Sequence, residues 1–574
     1  MTFAGTAGLF SPACGNARDL AVMFLSPWGL EEMCTRKLWR ILAEQLSDIG
    51  IASLRFDYPS TANALDLPDS SGLEAWDRCI ATAIDTLKTH SGSSRIVLLG
   101  QGLGASLALT AADDRPDIEG LALLAPVTKG RAYLRELMLW AKVVDDGLEV
   151  IDTLRDTSIG AIAGLTMPSG IAADVRKLDV SAPHLASAPH ILVAARASRE
   201  SDTALAAHLE AIGCTVSTIA YDSYDDLVSN PLISKMPDSI GPGLLQWIGG
   251  LPSFALVPTA LPEPPAQPHP LQGQGFEEIP VRFGENDRLY GTMCRPTTGR
   301  SAATAVILST AYDHQAGWGR SSVDLARHLA RSGVSSLRFD SAAAGDSPPV
   351  PGRRAQILYD DVQMQDVAIA RDFLQKIGDT EPALLVGRCS GAHLAFVSAV
   401  ADDRWAGCVS INPFVFRWQS KPTEDVLATT PRAFEEYADK AMRLETFKRL
   451  LAGKIDIRNA TRNVVISTAR WVGRKLRPVL GSLLPQERWN QAVHGDFRVL
   501  RDRNTRLSVV FSARDQGLAT FRFHFGNNGE KLRAYPNVRL DLIEDADHNL
   551  TPRPARERLN EIVTRSALEL AGRG

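Results

Sequence analysis

At 574 residues the chain is too long for one hydrophobic core, and at about 100–200 residues per domain it holds roughly two to five units. An apolar content of 45%, a charged content of 22% and a net charge of −4 exclude the basic balance of a general nucleic-acid binder. No apolar run reaches the roughly 18 residues a membrane span needs, Met1–Ala13 has no basic segment before its apolar residues, and the seven cysteines lack CxxC spacing, so the expectation is a cytoplasmic protein with reduced thiols and no membrane span.

In chain order, the first half alternates apolar strands with helical patterns. Ala21–Leu25 reads as a buried strand and Leu38–Leu46 as an amphipathic helix; Ala52–Phe56, Ile96–Leu99, Leu121–Leu124 and Ile191–Ala194 read as further strands. Pro252–Gly275 then holds seven prolines, which disfavour helix and central strand alike. This marks 251–275 as a linker between domains 1–250 and 276–574. Beyond it, Glu278–Cys294 alternates like an antiparallel hairpin absent from the first half. Strands follow at Ala305–Leu308, Ser335–Phe339, Ala383–Val386, Cys408–Ile411, Leu507–Phe511 and Val538–Ile543, with a helix over Val323–Leu329 and a last one over Pro552–Leu570. Apolar strands alternating with helices predict an α/β protein with mostly parallel sheets covered on both faces. From Arg417 to Arg503 the pattern turns helical (Arg432–Leu451, Ala460–Leu476), which suits a cap over the carboxyl edge of the second sheet, where ligands of open α/β sheets bind.

The halves repeat one another. Gly50-Ile51-Ala52-Ser53-Leu54-Arg55-Phe56-Asp57 recurs as Gly333-Val334-Ser335-Ser336-Leu337-Arg338-Phe339-Asp340, and Val97–Ala105 aligns with Leu384–Ala392. Two matches in order imply a tandem duplication. In the second copy the aligned turn is Gly387-Arg388-Cys389-Ser390-Gly391, between a strand and a helix, the context of a nucleophile elbow. A thiol at a helix N-terminus gains from the helix dipole, and a nearby imidazolium would lower its pKa further. Alone, the motif is weak evidence, since free cysteine is among the residues most often simply buried. Later residues add weight to the catalytic reading: Asp515 follows the strand Leu507–Phe511, and His548 follows Val538–Ile543. Nucleophile, acid and histidine in that order match this fold type. Asp547, next to His548, is a rival for the acid.

On these residues, with Arg338-Phe339-Asp340 and Gly345-Asp346-Ser347, the second half resembles the α/β-hydrolase superfamily. Its cysteine elbow is similar to that of dienelactone hydrolases and polyhydroxyalkanoate synthases. The run Cys389–Phe396 and the capped layout resemble, more loosely, bacterial hydrolases associated with exopolysaccharide clusters. The resemblance implies Cys389 as nucleophile, His548 as general base then acid, Asp515 as the carboxylate orienting it, and an oxyanion hole from Ser390 with Ala311 or Tyr312. His314 and His393 read as structural. In the first copy Gly102 takes the nucleophile position, Ala197 the acid slot and Asp225 the histidine slot, so that copy reads as a pseudo-enzyme.

The function implied is hydrolysis or transfer of an ester or thioester acyl group through an acyl-cysteine, on a small-molecule or carrier-bound substrate. The alternative is a non-catalytic assembly protein built of two decayed copies. No cofactor, metal or nucleic acid is implied, and an oligomer is compatible with the sequence. Lys448, Arg449, Lys454, Arg458, Arg462, Arg470, Arg474, Lys475 and Arg477 in the cap read either as a solvated face or as an attraction for an anionic substrate.

Overall fold

The computed structural model describes residues 1–572 except 114, 184, 186–189, 230, 232–234, 238, 257–267, 354–357, 380 and 419–484. Both helices expected in the cap, and all nine of its cationic residues named above, lie outside the described residues. So does the middle of the proline-rich linker.

Among the described residues, the first half forms one sheet of eight strands: β1 (Thr2–Phe3), β2 (Thr6–Ser11), β3 (Ala21–Leu25), β4 (Ala52–Phe56), β5 (Ile96–Gln101), β6 (Ile118–Leu124), β7 (His190–Ala195) and β8 (Thr215–Ala220), in the order β1-β2-β4-β3-β5-β6-β7-β8. The second half forms β9 (Leu271–Gly273), β10 (Phe276–Phe283), β11 (Leu289–Pro296), β12 (Thr304–Leu308), β13 (Ser335–Phe339), β14 (Ala383–Arg388), β15 (Gly407–Ile411), β16 (Arg506–Ser512) and β17 (Val538–Ile543). Their order is β9-β10-β11-β13-β12-β14-β15-β16-β17. From β3 to β8 and from β12 to β17 the pairings are parallel, and only the leading strands run antiparallel. The protein is therefore α/β, with two tandem, mostly parallel sheets.

Strand alternation sends successive side chains to opposite faces, and both faces of each sheet are covered. In the first sheet Met23, Leu54 and Leu98 join Trp76, Ile80 and Leu87 of the helix Glu74–Ser91. Val22, Phe24, Val97 and Leu99 join Leu38, Leu42 and Leu46 of the helix Leu30–Asp48 on the other side. The second sheet repeats the arrangement with the helices Asp361–Lys376 and Arg553–Ala571. Among the described residues, no helix is long and apolar enough to cross a membrane.

Four features differ from the sequence reading. The hairpin β10–β11 is not peculiar to the second half, because β1–β2 supply an antiparallel lead-in to the first; these strands are short and half-exposed, so their alternation is weak. The edge strand β8, largely exposed, has no apolar run to announce it. The segment between β6 and β7 carries its own helices, Gly130–Gly147 and Ser169–Val175, at the place where the second half carries its insertion. Finally, the linker is structured at both ends: Ala255 bridges to Arg18, and β9 pairs with β10.

The two halves pack through an arginine-rich contact. Arg320 donates to the carbonyls of Ala62 and Ala64 (2.8 Å each) and pairs with Asp66 at 2.6 Å. Arg327 reaches Asp66 at 2.9 Å, and Trp318 is buried in the core cluster of the first half.

Candidate active site

Cys389 sits between β14 and the helix Ser390–Ala401 with φ 56° and ψ −118°, a left-handed conformation that non-glycine residues adopt at a cost of about 1–3 kcal/mol. Its N–H donates to the Ile411 carbonyl at 2.9 Å, and its own carbonyl accepts from Ala392 and His393. The flanking glycines are required sterically. A Cβ on Gly387 would lie 2.1 Å from the Gly391 oxygen, and one on Gly391 would lie 2.8 Å from the Ser309 oxygen. The turn can therefore be this tight only with glycine at both positions, and it leaves the thiol 3% exposed at the carboxyl edge of the sheet.

The loops after β16 and β17 bring the other two groups to this thiol. His548 Nδ1 lies 2.5 Å from Asp515 Oδ2, and its imidazole is near enough to the Cys389 sulfur for each to shift the other's titration. Asp515 Oδ1 is held by the Gly517 N–H at 2.7 Å. Asp547 is committed elsewhere: its carboxylate accepts from the N–H groups of Thr551 (2.6 Å) and Asn549 (3.1 Å) and from the Thr551 hydroxyl (2.9 Å). Asp547 thus shapes the loop, and Asp515 is the carboxylate on the imidazole.

Burial raises the pKa of the Cys389 thiol, but the facing His548, the Arg388 guanidinium and the Ser390 N–H outweigh it, and the net direction is down. Burial likewise opposes a charged His548, yet the negative Cys389 and Asp515 on either side push it up to about 10. Each group's charged form thus favours the charged form of the other.

Ala311, in the loop after β12, has φ 49° and donates its N–H to Ser390 Oγ at 2.8 Å. In this state the Ser390 hydroxyl occupies one expected oxyanion donor, and the Ser390 N–H faces the Cys389 sulfur. Tyr312 lies under the Lys37 ammonium of the first half, 5.4 Å from its ring centre. Ser390→Ala is expected to lower stability by about 1 kcal/mol, since it strands a buried N–H, without slowing acylation of Cys389, because that N–H becomes available to the substrate oxygen. Thermal unfolding and adduct mass kinetics on the variant check both parts.

Several site residues escaped the sequence reading. Arg388 reaches Asn549 and lies 3.7 Å from Asp313, a buried carboxylate raised to about 6 by burial against the pull of Arg388 and His314. Asn412, fully buried at the end of β15, donates to the His548 carbonyl at 2.8 Å and brackets Ser512, fixing the histidine loop. A polar residue at the carboxyl end of a buried strand was its available signal. His393, held neutral with a pKa lowered to about 4 by burial, packs edge-on against Tyr359, which stacks on Trp418 at 4.6 Å. These three line a cavity of about 450 Å³ with Met364, Leu394 and Val397.

His314, Asp340 and Asp346 bring potential ligand atoms within 4.8 Å of one another. Their oxygens are already engaged: Asp346 by Arg36 and Arg55, and Asp340 by the N–H groups of Gln315 (2.6 Å) and Asp346 (2.9 Å). The donor set is that of an ionic network, not an open cation site.

In the first half, Gly102 has φ 55° and ψ −120°, nearly the backbone of Cys389. A Cβ there would meet the Glu31 carboxylate at 2.6 Å. Glu31, its pKa raised by burial, accepts from Gln101 Nε2 and the Tyr224 hydroxyl (3.1 Å each), and Arg196 stacks on the Tyr224 ring. The space a nucleophile and its partners would need is thus filled by a closed polar cluster.

No protein-family model and no curated protein matches the chain. Among solved structures it is similar to a cold-adapted esterase from an Arctic intertidal metagenomic library (12% identity, 52% of this chain and 96% of that one, TM-score 0.30). It is also similar to an esterase of Pyrococcus furiosus (16%, 50% and 90%, 0.32) and to an α/β serine hydrolase homologue from Coxiella burnetii (14%, 50% and 96%, 0.29).

Proposed function

We propose that the second half is an acyl-transfer enzyme that hydrolyses or transfers an ester or thioester acyl group through an acyl-cysteine at Cys389, and that the first half is a decayed tandem copy without chemistry of its own. The observation that carries this reading is a strained elbow that holds Cys389 at a helix N-terminus, with His548 paired to Asp515 on the loops after the two following strands. A buried structural cysteine has no need of an imidazolium, a second-rank carboxylate and an unfavourable φ together.

In this reading the thiolate attacks the carbonyl carbon and the carbonyl π electrons move to oxygen, where the Ser390 N–H and, once Ser390 Oγ turns away, the Ala311 N–H stabilise the charge. On collapse the C–O or C–S bond to the leaving group breaks and His548 gives that group its proton. His548, now neutral, takes a proton from water or an acceptor alcohol or amine as this attacks the thioester, and the Cys389 thiolate leaves. Asp515 holds Nδ1–H and favours the charged imidazole. The aromatic cavity at Tyr359, Trp418 and His393 is suited to the acyl chain.

The test is intact and peptide mass spectrometry of the full-length protein with activated acyl esters and thioesters. An acyl adduct on Cys389, absent in Cys389→Ala, supports the reading, and added acceptors then separate transfer from hydrolysis. An ordinary thiol that never acylates removes it in favour of a non-catalytic assembly role.

A further inference from the structure

We propose that the first half braces the loop bearing the expected oxyanion donor Ala311, with Arg36 and Asn63 as positioning residues for acylation of Cys389; the inference rests on the acyl-cysteine reading.

The loop from Ser309 to Arg320 touches the first half along most of its length. Lys37 covers the Tyr312 ring. Asn63 Nδ2 lies 3.5 Å from His314 Nε2, and Ala62 packs with Ala316. Gly319 approaches so closely that a Cβ would sit 2.8 Å from the Ala163 oxygen, and Arg556 ties the carbonyls of Gly319 and Gly164 together at 3.0 Å each. Within the second half the loop is held by Ser309 Oγ to Phe339, Thr310 Oγ1 to the Arg388 carbonyl, the Ala311 N–H to Ser390 Oγ, Asp313 beside Arg388, and the Gln315 N–H to Asp340, so its far end, from Tyr312 to Arg320, is where the first half adds its contacts.

The centre of the brace is ionic and buried. His314 Nε2 lies 3.3 Å from Asp346 and 3.6 Å from Asp340, and Asp346 is clamped from the first half by Arg36 (3.3 Å) and Arg55. Arg36 also pairs with Asp57 and Glu32. Without Arg36, the carboxylates of Glu32, Asp57 and Asp346 would face one another with Arg55 and His314 as the near cations, and in a desolvated contact that repulsion falls on Asp346 and so on His314. His314 is three residues from Ala311. A donor displaced by about 1 Å costs on the order of 100-fold in rate, so a half without chemistry can still set the rate of the other.

Two reactions at the same sulfur test this in the full-length protein. Alkylation by iodoacetamide needs the thiolate but forms no oxyanion, whereas acylation by 4-nitrophenyl acetate needs both. Arg36→Ala is expected to slow acylation ~30-fold and Asn63→Ala, which leaves every charge in place, severalfold, with alkylation within about twofold of wild type and Arg36→Lys recovering part of the loss. Acylation unchanged in both variants, or both reactions falling together, would overturn the brace while leaving the acyl-cysteine reading intact. Wild-type protein that alkylates normally but never acylates would overturn that reading and this inference with it.

Discussion

A His548→Ala variant is expected to acylate at Cys389 about 10⁴-fold more slowly than wild type, the usual scale for removing one member of such a triad. It should also require a higher pH before its thiol reacts with iodoacetamide. In the wild type, burial raises the thiol pKa and His548 is the largest opposing influence, ahead of Arg388 and the Ser390 N–H. Take away the imidazolium and the largest influence favouring the thiolate is lost, so the alkylation profile moves to higher pH. The wild-type acylation profile has a second limb. In the proposed mechanism His548, whose pKa is pushed up to about 10, acts as acid toward the leaving group, so acylation by poor leaving groups is expected to decline only as pH rises through that value. The stabilisation from His548 follows the same sign: its pKa in the fold is raised, so it is fully present below the ordinary histidine value and lost through about pH 10. A His548→Ala thiol that still alkylates at the wild-type pH would sink the ion-pair account.

Much of this site was legible because its parts obey local rules. Cys389 was marked by the glycines on either side, which the turn requires for steric reasons, and Asp515 and His548 were marked by following late apolar strands. What sequence left open was decided by contacts among distant residues. Position after a late strand favours Asp515 with Asp547 as its rival, and the N–H groups of Asn549 and Thr551 show that Asp547 is spoken for. Ala311 and Ser390 were both named as backbone donors, but nothing in their spacing says that one side chain would occupy the other's N–H. Histidine 314 was read as structural, and the charges around it come from both halves, from Arg36 as well as Asp340 and Asp346. The alignment put Gly102 opposite Cys389 without indicating that Glu31, from another turn, fills the gap. In the fold, weakly alternating or exposed strands such as β1, β2 and β8 were the ones missed, since periodicity reports burial before it reports pairing.

Glu278→Ala is expected to destabilise the protein by about 3–5 kcal/mol, the scale for breaking a buried ion pair from one side. Glu278 is fully buried on β10 and meets Arg327 at 2.6 Å and Arg338 at 2.7 Å. Both guanidiniums are themselves buried and continue across the contact between halves, Arg327 to Asp66 and the Ala64 carbonyl, Arg338 to Asn63 Oδ1 at 3.3 Å. Deleting the carboxylate leaves two buried cations with no carboxylate between them, a larger penalty than the loss of the pair's own attraction. Burial raises the Glu278 pKa, but Arg338 and Arg327 prevail and lower it, so its contribution holds above the ordinary glutamate value and disappears as pH falls through its depressed one. The comparison is Arg553→Ala, which breaks an exposed pair with Glu557 and is expected to cost under about 0.5 kcal/mol. Guanidinium unfolding midpoints of the two variants at neutral pH, and of Glu278→Ala again in acid, give the measurement. A Glu278→Ala midpoint equal to that of Arg553→Ala would mean that the cations relax to water, and that the contact between halves is looser than its buried charges require. Replacing Glu278, Arg327 and Arg338 together by apolar residues of similar size should recover most of the loss, because the cost lies in the unpaired charge and not in the absence of a bridge.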